Sequence, residues 1–492
     1  MAITDYEVVI GLEVHCQLKT ATKMFSACAY AVGAEPNTQV DAYTLGLPGT
    51  LPVPNRQAVD YALRLALALR CEIQPVSRWA RKHYFYPDLP KGYQITQNDA
   101  PYALGGFVEI PDPAGQGELA SKQIRLQRIH MEEDAGKNTH LLGEDESLVD
   151  YNRAGAPLVE IVSRPDIRSA AEAADYLREL RTIVRYLDIS DANMEEGTLR
   201  CDANVSLRRK GVEALGTRCE IKNLNSFKFL ELAIEAEIRR QADLLDQGRA
   251  VVQSTLSYDT ARDITRVMRT KEEAADYRYF PEPDMPPLLI SDEWIARVRE
   301  ILPELPWALR RRYVELGLTA YDAGVLTADP ALARFFSAAL VAGPGLPAKQ
   351  IGNWLKDELL GLLNADDRSI VESPITPEGL AEIVELVETD VISRRAAKEV
   401  FEKAYREGQT PKVIVERDGY RQVSDTGAIE ALVREVIAAN PGQLEQLLGG
   451  KDKVRGFFVG QVMKRSKGQA NPGVVNEVLE RVIAGIRAER GG

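Results

Sequence analysis

The residues best suited to chemistry lie on three short alternating runs. In Leu12-Glu13-Val14-His15-Cys16-Gln17-Leu18 the apolar side chains fall at even positions, so Glu13, His15 and Gln17 share the opposite face of an extended strand. In the run from Leu199 to Leu207 the odd positions are apolar or small, and Arg200, Asp202, Asn204 and Ser206 share a polar face. The run from Thr217 to Lys222 does the same with Arg218, Glu220 and Lys222. Acids mixed with cations and amides at this spacing suit a divalent metal beside a triphosphate, since carboxylates bind Mg²⁺ and Arg or Lys binds phosphate oxygens. The pattern also fits an antiparallel sheet with one wet face and ordinary cross-strand ion pairs. Alternation leaves both readings open. His15 fits a hydrogen-bonded imidazole better than a dominant ligand, because hard Mg²⁺ prefers oxygen. The densest acidic cluster is His130-Met131-Glu132-Glu133-Asp134. Alternation from Ile129 and Met131 puts Glu133 on the apolar face, and alternation from Leu126 puts Glu132 there, so the pattern does not decide which one enters a site.

Common nucleotide and hydrolase signatures are missing. The nearest approach to a phosphate-binding G-x-x-x-x-G-K-[ST] loop, Ala135-Gly136-Lys137-Asn138-Thr139, has Met131 where the first glycine belongs. No dinucleotide-binding glycine motif, kinase catalytic loop, H-E-x-x-H or G-x-S-x-G occurs.

The elements that must position these residues are legible in outline. Ser169 and Glu172 form a capping box ahead of Tyr176, Leu177, Leu180, Val184 and Leu187 at helical spacing. Strands are expected near 199–208 and 217–222, and a helix through about 228–247 that stops at Gly248. After the proline-rich seam 278–290 the pattern turns helical. Thr376-Pro377 opens one helix and Ser393 caps another. The fold class expected is α+β. An antiparallel-sheet cradle over 1–294 precedes an all-helical domain over 295–408 and a small helical tail domain over 409–492.

Composition narrows the class further. The 492 residues are 45% hydrophobic and 27% charged, which fits a globular chain and excludes a disordered or collagen-like one. No apolar run reaches the length of a bilayer span, so no membrane association is expected. Asp5, Glu7 and Glu13 interrupt the N-terminus, which argues against a secretory signal. Five scattered cysteines read as reduced thiols and point to the cytoplasm. Residues 411–492 hold 13 Lys/Arg against 10 Asp/Glu, a net of +3, leaving −15 on the rest of a chain of net charge −12. Within that tail Lys451, Lys453, Arg455, Lys464, Arg465 and Lys467 face only Asp452 in their stretch. Such a patch fits either contact with a nucleic-acid backbone or a solvated helical surface.

Taken together, GLEVHCQL (11–18), LGLPGTLPVPN (45–55), YFYPDLPKGYQI (84–95), HMEEDAGK (130–137), NRAGAPLVEI (152–161), MEEGTLRCDANVSLR (194–208), EIKNLNS (220–226), DYRYFPEPDMPPL (276–288) and VGQVMKRSKGQANP (459–472) closely resemble the B subunit of the tRNA-dependent aspartyl/glutamyl amidotransferases (GatB of the GatCAB complexes). The resemblance runs in order along essentially the whole chain. It implies ATP-dependent phosphorylation of the side-chain carboxylate of Glu-tRNA(Gln) or Asp-tRNA(Asn), then amidation by ammonia. It also implies two partners in a heterotrimer, the glutaminase that supplies the ammonia and a small bridging protein, with Mg²⁺ in the cradle. Carried over motif by motif, the metal and nucleotide site falls on Glu13, His15, Glu133, Asp202 and Glu220, with Glu132 as the alternative to Glu133. Lys137, Arg200 and Lys222 are the phosphate contacts expected, and the tail the tRNA contact. A zinc knuckle of some members falls here on Ser26, Cys28, Asp41 and Thr44, so no zinc is expected. The competing reading is a non-catalytic tRNA-binding scaffold of the same architecture.

Overall fold

Leu12, Val14 and Cys16 are fully buried, while Glu13 and His15 point the other way. That pleat organises the first half of the molecule. The computed structural model describes residues 5–140, 146–270, 277–422, 425–466 and 469–491. It divides into two compact units, 1–311 and 312–492.

The first unit is built on a ten-stranded sheet. Its strands are β1 (Tyr6–Gln17), β2 (Glu72–Ile73), β3 (Ala103–Leu104), β4 (Phe107–Pro111), β5 (Ser121–Glu133), β6 (Pro157–Ser163), β7 (Leu199–Arg209), β8 (Cys219–Leu224), β9 (Ser254–Asp259) and β10 (Ile264–Thr270). They lie in the order β10-β9-β8-β7-β1-β6-β5-β3-β2, with β4 also paired to β5. The expected antiparallel sheet has one exception, since β8 and β9 run parallel. The connection between them is the helix α3 (Phe227–Asp246), as a parallel pair requires.

Helix α1 (Arg56–Ala68) follows the Asn55 cap, and α2 (Ala170–Tyr186) starts where the caps predict. Ser169 Oγ accepts from Glu172 N at 3.1 Å, but the Glu172 carboxylate reaches back one residue further than expected, to Arg168 N at 2.8 Å. Helix α3 is capped by Ser226, and Gly248 follows it in the left-handed region at φ +69°. Tyr176, Leu177, Leu180 and Val184 of α2 and Leu230 and Ile234 of α3 join Leu12, Val14, Cys201, Ala203 and Val205 in one core. Each fully buried large aliphatic side chain contributes about 1.5–3 kcal/mol. The core therefore pins the apolar face of β1 and β7 inward, and their polar side chains have only the other face to occupy.

In the second unit, helix α4 (Pro377–Glu388) carries its proline at the first position behind the Thr376 cap, and α5 (Arg394–Glu407) follows the Ser393 cap. Phe401 of α5 meets Trp354 edge-on at 5.3 Å. The short helix α6 (Pro411–Asp418) packs on α4 and α5, and Lys412 N donates to Glu382 Oε1 at 3.1 Å. The tail's own core begins only at Ile429 and closes with Phe458, Val475 and Leu479. The boundary expected at 409 thus falls one helix too early, because proline at the start of α6 marks a helix and not a linker. Among the described residues no single helix is long and apolar enough to cross a membrane.

Candidate active site

Register gathers the site. In antiparallel neighbours directly opposed residues share a face. His15 lies opposite Arg200 on β7 and Glu160 on β6, and Glu160 lies opposite His130 on β5. Glu13 faces Asp202, and Asn204 faces Glu220. One sheet face therefore carries Glu13, His15, His130, Glu132, Glu160, Arg200, Asp202 and Glu220 from five strands.

Two adjoining clefts, about 850 and 400 Å³, open on this face. His15, Lys82, Glu132, Asp202, Lys222 and Tyr277 line both. At this junction His15 Nε2 lies 3.5 Å from Glu160 Oε2 and 3.7 Å from Glu132 Oε1. One ligand atom from each of the three falls within 4.8 Å of the others, a spacing that can enclose one metal ion. Behind them the buried His130 Nε2 is 3.1 Å from Glu160 Oε2 and 3.7 Å from Glu132 Oε2. Two carboxylates between two imidazoles shape the protonation. Burial alone pulls His130 down, but the charge and hydrogen bonds of Glu160 and Glu132 carry it up to about 9. His15 is raised the same way, its own burial being outweighed by Glu160 and then Glu132. Glu160, despite its burial, is held well below the usual carboxylate range by His130 and His15. Without a divalent ion the two carboxylates favour a proton on each imidazole, and a metal on His15 would have to displace the proton there.

Beside this cluster, Lys222 Nζ lies 2.8 Å from both Asp202 Oδ2 and Glu220 Oε1, and their charges hold its pKa up against burial. Asn204 Nδ2 donates to Glu13 Oε1 at 3.0 Å. Burial, with Glu160, Glu220 and Asp202 nearby, raises the Glu13 pKa. On the side of the larger cleft, Arg200 Nη2 and Gln17 Nε2 both donate to Asp134 Oδ2 at 2.6 Å, so Arg200 is already engaged. Lys137 stands exposed on the rim of that cleft.

Glu133 does not join the others. It follows Glu132 in β5, so the pleat turns it through the sheet, to the side of Ile129 and Met131. There, fully buried, it pairs with Lys91 Nζ and accepts from Ile95 N at 3.0 Å. The structure brings Glu132 to His15 in its place. The sequence reading also missed Glu160, His130 and Lys82. Glu160 had a signal, being the one charged residue in an otherwise buried strand, Pro157–Ser163. Lys82 comes from outside the sheet. Its ammonium sits 4.7 Å over the Tyr277 ring, beside the charge of Glu132. Arg128, Arg218 and Arg269 line the smaller cleft and form no ion pair among the described residues.

At the former knuckle positions, Thr44 N donates to Asp41 Oδ1 at 2.8 Å and Cys28 N to Ser26 Oγ at 3.3 Å. In the tail, Lys451, Lys453 and Lys464 are exposed, Arg455 pairs with Glu480 and Arg465 with Glu435. Lys467 lies outside the described residues.

The sheet face thus holds a cluster spaced to enclose a metal ion at the junction of two polar clefts, an arrangement suited to charged ligands. The family model of the GatB/GatE catalytic domain matches residues 8–296, and that of the GatB domain matches 334–483. The aspartyl/glutamyl-tRNA(Asn/Gln) amidotransferase B subunit of Halorhodospira halophila is 55% identical over 481 residues, covering 98% of this chain and 99% of that protein. The protein of the same name from Geotalea daltonii is 53% identical over 486 residues, covering 98% and 100%. The chain belongs to this family of amidotransferase B subunits.

Proposed function

We propose that this chain is the synthetic subunit of a tRNA-dependent amidotransferase. It transfers the γ-phosphate of ATP to the side-chain carboxylate of Glu-tRNA(Gln) or Asp-tRNA(Asn), and ammonia then displaces that phosphate to leave the amide. The ammonia comes from a glutaminase partner, in a heterotrimer completed by a small bridging protein. One observation carries this reading: His15, Glu132, Asp202 and Lys222 stand at the junction of two clefts, where two substrates can meet. A carboxylate is a poor electrophile at neutral pH, and phosphorylation supplies the leaving group it lacks.

The donor set fits a hard divalent ion, with carboxylate oxygens from Glu132 and Glu160 and one imidazole nitrogen from His15. Mg²⁺ bound there would neutralise phosphate oxygens and spread the charge that develops on the transferred phosphoryl group. His130 orients Glu160 from behind, so its carboxylate arrives fixed. The smaller cleft suits the nucleotide, since Arg128, Arg218 and Arg269 can contact phosphate oxygens there. The larger cleft suits the aminoacyl end of the tRNA, with Lys82 on its lining as a cation for the carboxylate to be activated. The exposed tail lysines suit the tRNA backbone.

The test is ATP-dependent amidation of mischarged tRNA with free ammonia, with and without the two partner proteins. Amide formation that disappears in Glu132→Gln while tRNA still binds supports the reading. A chain that binds tRNA but gives no amide or ADP with its partners present is a scaffold.

A further inference from the structure

The hairpin of β9 and β10 closes one side of the smaller cleft, yet the sheet holds it lightly. β8 and β9 run parallel, and among the described residues only Glu220 with Thr255 and Ile221 with Leu256 stand opposite each other across that seam. β10 is the edge strand. Its Arg269 reaches the cleft through an irregularity. In a regular strand Thr265, Val267 and Arg269 would share one face, the one that Thr265 turns toward α3. Leu256 opposes Val267 but Thr255 opposes Arg269, so Met268 is an extra residue that sends Arg269 to the other face. There Arg269 lines the cleft with Thr255, whose hydroxyl donates to Glu220 Oε2 at 3.2 Å.

One carboxylate on α3 fastens this hairpin. Glu237 is fully buried. Arg240 Nε and Nη2 donate to its two oxygens at 2.8 and 2.7 Å, Gln241 Nε2 donates at 2.7 Å and Thr265 Oγ1 at 2.9 Å. Two of these partners also hold strands: Gln241 Nε2 donates to Val205 O of β7 at 3.0 Å, and Arg240 Nη2 to Cys219 Sγ of β8 at 3.4 Å. Burying a carboxylate is costly, and α3 already packs on the core through Leu230 and Ile234. What Glu237 adds is a link from β7 and β8 to β10, across the lightly paired seam. The ion pair of Arg239 with Asp263 near the turn is half exposed and contributes little.

We propose that Glu237 is a positioning residue: through Thr265 it fixes the β9–β10 hairpin so that Arg269 reaches the phosphate oxygens of a nucleotide in the smaller cleft. This rests on the reading that the smaller cleft takes the nucleotide.

The experiment measures ATP binding to the full-length chain with Mg²⁺ by equilibrium dialysis, beside its thermal unfolding. Thr265→Val keeps the shape of the side chain and removes the hydroxyl, leaving Glu237 paired with Arg240. It should weaken ATP binding on the order of ten-fold, the worth of one hydrogen bond to a charged group, and Thr265→Ser should restore it. Arg269→Gln should weaken ATP binding at least as far, and adding Thr265→Val to it should cost nothing more, because the anchor acts through that guanidinium. Thr265→Ala repeats the measurement should Thr265→Val not fold. A folded Thr265→Val that binds ATP as wild type does, or whose loss adds in full to that of Arg269→Gln, makes Glu237 a fastening of the fold alone and overturns the proposal. Arg269→Gln that binds ATP normally overturns the nucleotide reading of the smaller cleft itself.

Discussion

Glu132 and Glu133 are neighbours in sequence, yet the pleat of β5 sends them to opposite faces, so one isosteric change at each should have opposite consequences. Glu133→Gln acts on stability. It removes the charge that faces Lys91, and burial already holds the Lys91 pKa below its ordinary value, the Glu133 charge opposing that pull. Breaking a buried ion pair costs about 3–5 kcal/mol. The lysine can escape by losing its proton, which caps the penalty at roughly 5 kcal/mol for an ordinary lysine at pH 7. Because burial has already made part of that shift, and the amide oxygen can still accept from Ile95 N, the expected loss is about 3 kcal/mol. At an m-value of about 3 kcal/mol/M this lowers the urea midpoint of the first unit by about 1 M. Glu132→Gln acts on metal binding. Glu160 remains to serve both imidazoles, so the urea midpoint should hold. Mn²⁺ affinity should fall by at least the roughly 10–100-fold that follows loss of an outer-shell partner. The assay is a urea titration beside a Mn²⁺ titration on both variants. If Glu133→Gln loses Mn²⁺ with an unchanged midpoint while Glu132→Gln binds normally, the assignment of faces is wrong.

Other outcomes follow from the same geometry. Asp202→Asn should abolish amide formation and leave tRNA binding intact, read by filter binding beside the amidation assay; full ATP-dependent activity would make Asp202 dispensable at the junction of the two clefts. Replacing Lys451, Lys453 and Lys464 together by Ala should weaken tRNA binding and flatten its salt dependence by about one unit for each phosphate no longer engaged. An unchanged slope would make the tail an ordinary solvated surface. The metal-free protein should lose thermal stability with rising pH. The pKa of His130 is raised to about 9 in the folded chain, so its contribution is whole below the unfolded value of about 6.5 and disappears as pH passes through 9. His130→Asn should flatten that decline in calorimetry. Metal affinity should rise with pH, since the ion must displace the proton that Glu160 and Glu132 hold on His15.

What the sequence made legible was periodic. Alternation in β1 and β7 correctly sorted Leu12, Val14 and Cys16 from Glu13 and His15, and Cys201 and Ala203 from Arg200 and Asp202, because one face of each strand is packed against helices. Caps fixed the starts of α2, α4 and α5 for an equally local reason. Failure came where the period meets an end or a break. In β5 the register shifts between Leu126 and Arg128, so the alternation read from Leu126 and that read from Ile129 conflict, and only the pairing with β6 settles which acid meets His15. Lys82 lies on the strand Ala80–His83, outside the main sheet, and nothing in its local pattern aims it at β1.

The deeper obstacle is that no segment carries the site. Each strand of the face supplies one to three groups, spread from Glu13 to Arg269, and only register brings them within reach of one another. A local motif binds by a loop that a few residues define, and a sheet face binds by the agreement of several pairings. A one-residue slip of β6 against β1 would turn Glu160 into the core and leave His15 facing an apolar side chain. The fully buried Leu12, Val14, Val159 and Ile161 resist that slip, since each would have to move to the polar face. The apolar side of the sheet therefore holds the chemistry of the other in place, and truncating Ile161 should loosen the proposed metal site although its side chain lies on the opposite face of the sheet.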